Sequence, residues 1–140
     1  MALSSVRTLF RQRLEGLGYR EHRDAFNFEN IGANILDDSF HLETGSVASF
    51  AANQLAHDFE YGITVRIFKR GYSDPATLLD EIDQIAQDVY SDILAPGIRL
   101  GTEIKDIVPN SYQPLPYDAS NDNSIILEMS FTARVLLCFA

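Results

Sequence analysis

The chain has 140 residues, enough for one domain with a self-sufficient core. Twenty Asp and Glu stand against eleven Lys and Arg, a formal charge of −9, which argues against a protein that grips nucleic acid by neutralising phosphates. A single cysteine, Cys138, excludes an internal disulfide, and the longest apolar run, residues 135–140, falls far short of the roughly 18 residues of a membrane span.

The N-terminal stretch has no uninterrupted apolar segment and no cleavage pattern, so export by a signal peptide is not expected and a reducing cytosol is the natural setting. Ser4 or Ser5 can cap a first helix in which Val6, Leu9, Phe10, Leu14 and Leu17 recur at steps of three and four, with Gly18 as a left-handed stop. Arg7, Arg11 and Arg13 make its polar side basic. Residues 19–38 are less legible: Phe26 and Phe28 alternate with polar neighbours, while Asn30, Gly32 and Asn34 supply turn chemistry, so a short strand is open there. Residues 39–44 read as a strand with Phe40 and Leu42 on one side and His41 and Glu43 on the other.

Residues 45–57 are small and polar around Val47, Phe50 and Leu55; a loop, a short helical turn or a surface hairpin is open there, and a loop is expected. Residues 58–70 form a strand, because Phe59, Tyr61, Ile63, Val65 and Ile67 alternate with polar residues and Gly62. Ser73, Asp74 and Pro75 then announce a helix whose buried stripe is Leu78, Ile82, Ile85, Ala86, Val89 and Ile93. Its outer face is acidic throughout, with Asp80, Glu81, Asp83, Asp88 and Asp92, and Ala95, Pro96 and Gly97 close it. Residues 98–108 suggest a strand that breaks near Pro109. Residues 109–123 hold three of the five prolines and are expected as a long connection carrying Tyr112 and Tyr117.

The chain ends on its clearest pattern: Ile125, Leu127, Met129, Phe131, Ala133, Val135, Leu137 and Phe139 occupy every odd position. At about 3.3 Å per residue this run approaches ~50 Å, and it is expected either to bend or to outrun its own sheet and offer an edge to neighbouring copies. The order of elements predicts an α+β fold, a mostly antiparallel sheet with two helices packed on one face. Residues 1–140 read as a single domain with long loops at about 45–57 and 109–123.

Nothing in the sequence composes a catalytic site. His22, His41 and His57 follow no metal-binding spacing, no G-x-S-x-G or phosphate-binding glycine loop occurs, and adjacent acids such as Asp80 and Glu81 read as solvated charge. No catalytic, cofactor-binding or metal-ligating residue is expected. Interaction residues are Arg7, Arg11 and Arg13 on the first helix, Asp80 and Asp83 on the second, and the anchors Phe50, Leu55, Tyr112 and Tyr117 on the two loops.

The basic first helix, the strand ending Val65-Arg66-Ile67-Phe68, the Ser-Asp-Pro-capped helix with Pro96 after it, the stretch Pro114-Leu115-Pro116-Tyr117-Asp118 and the final alternating strand form a familiar layout. It resembles the tail terminator, or tail completion, proteins of long-tailed bacteriophages over most of residues 6–139, although residues 19–57 match no pattern. The resemblance implies a structural virion protein without cofactor, commonly a hexameric ring, that is assembled in the host cytoplasm. Such a ring caps the head-proximal end of the tail tube. It would meet the tail tube protein on one side and the head connector or neck protein on the other, with DNA passing through without sequence-specific binding. Phage neck and head-closure proteins are close in style; an acidic cytosolic adaptor and, further off, a small enzyme are the alternatives. In a head-to-tail ring, Arg7, Arg11 and Arg13 of one copy are expected to face Asp80, Glu81, Asp83 and Asp88 of the next.

Overall fold

The computed structural model describes residues 5–22, 38–51, 56–69, 75–95, 104–116 and 125–138. Helix α1 (Ser5–Gly16) buries Val6, Phe10 and Leu14 on one stripe. It stops where the spacing places the stop: Gly18 has φ 101°, its N–H bonds the Glu15 carbonyl at 3.0 Å, and the Tyr19 N–H bonds the Leu14 carbonyl at 3.2 Å. These two bonds form a Schellman cap, which satisfies carbonyls that the helix end would otherwise orphan.

The strands are β1 (Arg20–Glu21), β2 (Ser39–Ala51), β3 (Ala56–Lys69), β4 (Ile104–Pro116) and β5 (Ile125–Cys138), and helix α2 (Pro75–Ile93) lies between β3 and β4 in the chain. They form one sheet in the order β1-β2-β3-β5-β4. β1 runs parallel to β2, and the other pairs are antiparallel. Both helices pack on one face, so the α+β arrangement expected from the sequence is the one observed. On the sheet's covered face lie Phe40, Tyr61, Ile63, Val65, Ile67, Ile104, Ile107, Leu127, Met129, Phe131, Ala133 and Val135. Against them the helices set Val6, Phe10, Leu14, Ile82, Ala86, Val89 and Ile93. Phe10 meets Phe131 edge-on with ring centres 5.1 Å apart, and Tyr90 meets the other side of Phe131 at 5.6 Å. Each large side chain so enclosed is worth about 1.5–3 kcal/mol of transfer free energy.

Four expectations are corrected. The stretch 45–57 is largely strand: β2 continues to Ala51 and β3 begins at Ala56. A bulge sets Gly45 and Ser46 against Gly62, because Thr44 pairs Ile63 and Val47 pairs Tyr61. The extra residue turns the alternation over, which is why the sequence loses its period there. Phe50 therefore sits in a strand, and Leu55 lies outside the described residues. The stretch 109–123 is strand as far as Pro116, so there is no break at Pro109, and Tyr112 belongs to β4. Finally, β5 does not outrun its sheet. Its 14 residues are matched by the 14 of β3 along the whole length and by β4 on the other side, so the last strand is central and offers no edge. Phe26 and Phe28 lie outside the described residues; within the stretch 19–38, where the sequence leaves a short strand open, the described strand is β1 at Arg20–Glu21.

Candidate interaction surface

The two edges of the sheet differ in chemistry. Helix α1 lies over β1 and β2, and α2 over β4 and β5. At the β2 edge, where β1 ends, a cleft of about 270 Å³ is lined by Arg7, Arg11, Glu21, His41 and Leu42. Arg7 and Arg11 are one helical turn apart, so both guanidinium groups hang over the same opening. Arg11 is paired through Nε to Glu21 Oε2. His41 donates from Nδ1 to the His22 carbonyl at 2.8 Å, and since a carbonyl only accepts, the Nδ1 tautomer is fixed by that bond. Arg7 is exposed at the mouth.

At the opposite edge, β4 brings Tyr112 beside α2. The Tyr112 hydroxyl donates to Asp83 Oδ1 at 3.2 Å, and its ring stands edge-on to Tyr90 at 5.9 Å. The hydrogen bond to Asp83, and the negative charge behind it, raise the Tyr112 pKa; Tyr90 is raised chiefly by burial and then by Tyr112. Tyr112 is still 41% exposed and Leu79 44%. Leu79, Asp83 and Tyr90 follow one another at helical spacing, so the patch is an apolar and acidic strip along α2 with Asp80 exposed beside it.

The sheet face away from the helices is mixed: Phe68, Ile126 and Leu115 form an apolar row across three strands, with Phe68 fully buried, and a polar row runs beside it. Across four strands, His41, Arg66, Glu128 and Gln113 form one row. Arg66 bonds Glu128 through Nε at 3.0 Å and Glu43 through Nη1, and Gln113 donates to Glu128 at 3.2 Å. The Arg66 bond holds Glu43 below its ordinary pKa. Burial opposes the charge on Arg66, but the two carboxylates outweigh it and its pKa is raised.

The structure thus joins Arg7 with Arg11, and Asp83 with Tyr112, and sets these two groups at opposite edges. It departs from the expected charge pairing for two of the three arginines. Arg11 is held by Glu21, and Arg13 bonds Asp92 Oδ1 at 2.5 Å, joining the last turns of the two helices of one chain. Asp88 accepts from Gln84 at 2.9 Å within α2. The side chain of Phe50, and Tyr117 altogether, lie outside what the structure describes. Sequence reasoning missed Glu21, Leu42, Leu79 and Tyr90; only the stripe of α2 carried a signal, since Leu79 is an apolar residue on its otherwise acidic outer face.

No helix among the described residues is long and apolar enough to cross a membrane. Among the described residues no three His, Cys, Asp or Glu side chains come together as a metal site. No family model matches the chain, and no curated protein sequence is significantly similar to it.

Proposed function

We propose that this chain is a ring-forming structural subunit of a long-tailed phage, a tail terminator that caps the head-proximal end of the tail tube and joins it to the head connector. The observation that carries the reading is the placement of a basic cleft and an acidic, aromatic strip at opposite edges of one sheet. A closed ring of identical subunits uses two different surfaces per copy, each complementary to the other. A chain with both surfaces at the same edge would favour face-to-face pairs instead. The overall negative charge suits a channel through which DNA slides, because an acidic wall offers phosphates nothing to hold.

The test is assembly. Purified protein, alone or mixed with tail tubes assembled from tube protein, is followed by sedimentation velocity and negative-stain electron microscopy. The expected result is a closed ring several times the subunit mass, or a cap at one end of each tube. Protein that stays monomeric at high concentration and leaves tube ends bare rejects the reading, and a ring that binds head connectors and not tubes transfers the assignment to a neck protein.

A further inference from the structure

We infer that the cleft at the β2 edge is a carboxylate site, and that its occupant is Asp80 from α2 of a second copy. The inference rests on the ring reading and specifies its contact.

The cleft is cationic by construction. Arg7 and Arg11 share one face of α1. Glu21 holds Arg11 in place and consumes much of its charge, which leaves Arg7, exposed at the mouth and without an ion pair among the described residues, as the group that receives an anion. A guanidinium presents parallel N–H donors that match a carboxylate in the plane, and it does so better than an ammonium would. At about 270 Å³ the opening takes one side-chain head with water around it.

The choice of occupant follows from how the acids of α2 are used. Asp83 accepts from Tyr112, Asp88 from Gln84, and Asp92 from Arg13. Asp80 is exposed and holds no ion pair among the described residues. It stands one turn from Asp83, next to Leu79, the most exposed large apolar residue of the helix. Leu79 can then cover the Leu42 wall of the cleft while the carboxylate meets Arg7, an apolar contact beside a charged one of the kind that fixes register as well as attraction. Because α1 covers the β2 side of the sheet and α2 the β4 side, one copy's Asp80 serves the next copy's Arg7, and the contact repeats head to tail.

The experiment uses three full-length variants, Arg7→Glu, Asp80→Lys and the two combined, measured beside the wild type by sedimentation velocity at low salt, with circular dichroism as a check of folding. Both positions are exposed, so the fold is retained. Each single variant should self-associate at least about tenfold more weakly, since like charges face each other at every contact, and the combined variant should recover to within about threefold. Wild-type assembly together with single variants that assemble normally overturns the Arg7 to Asp80 contact and leaves the ring reading standing. Single variants that both fail, with no recovery in the combination, also overturn the pairing. A wild type that neither assembles nor caps tubes removes both readings at once.

Discussion

Gly62 faces a constraint that strand propensity alone would conceal. A Cβ built there lies 3.1 Å from the Ser46 carbonyl oxygen, and one on Gly45 lies 3.5 Å from the Gly62 oxygen. The bulge brings two backbones together: a side chain at Gly62 would crowd the Ser46 carbonyl, whereas one at Gly45 would meet Gly62 at ordinary contact distance. Valine is a good strand former, yet Gly62→Val should destabilise by about 1–3 kcal/mol, as overpacking does. Gly16, with open space around its missing Cβ, should show the opposite sign: Gly16→Ala should stabilise by about 0.4–1 kcal/mol. Chemical denaturation of the two variants checks both. Glu43 makes a pH statement at the same scale. Its folded pKa lies below its ordinary 4.5 because Arg66 bonds and attracts it, so the contribution is complete at neutral pH and disappears as pH falls through the folded value. The side chain is half exposed, so Glu43→Gln should cost no more than about 1 kcal/mol at pH 7, with the difference closing as pH falls through the folded pKa. Urea titrations at several pH values measure the closing gap.

At the scale of elements, β4 explains both what the sequence revealed and what it hid. Pro109, Pro114 and Pro116 pair with Phe131, Leu127 and Ile125, all odd positions of β5. A proline has no N–H to give β5, so this phase of β4 directs its backbone outward, where an edge strand tolerates proline. Pro109 and Pro114 are an odd number apart, and they fall in phase because the bulge after Pro109 inserts one residue. A second bulge between Ile104 and Asp106 places Ile104 and Ile107 on the covered face together. Two insertions in one strand erase its period, and three prolines complete the disguise as a loop. The bulge in β2 did the same after Thr44. Where the ladder is unbroken, in β3 and β5, alternation named the covered face residue by residue, and the helical stripes of α1 and α2 were equally legible. The candidate surface was legible in its residue types and not in its pairings, since the Arg11 to Glu21 and Arg13 to Asp92 contacts join residues 10 and 79 apart in sequence. The prolines also have a predicted role. With Pro109 and Pro114 both replaced by threonine, the outer edge regains N–H donors and the protein should associate through it, seen as growing particles in light scattering at concentrations where the wild type gives a stable size.

For the whole molecule, the charge distribution would set how copies meet in the proposed ring. Exposed ion pairs contribute only about 0–1 kcal/mol each, but a ring repeats each contact at every interface, and the field reaches about 10 Å at 0.1 M salt against about 3 Å at 1 M. Self-association should therefore weaken steadily between these conditions, with the loss mainly in the rate of encounter; stopped-flow light scattering across the salt series measures it. Salt-independent assembly would mean that the apolar strip of Leu79 and Tyr112 carries the contact by itself.

The rings of Phe10, Phe131, Tyr90 and Tyr112 touch in sequence from α1, through β5 and α2, to the β4 edge. Close-packed interiors yield little under compression, so this row acts as a strut. A compressive load on Tyr112 would pass through Tyr90 and Phe131 to Phe10, in the helix that carries Arg7. In the proposed ring, a push from one neighbour would cross the subunit to the next through this row.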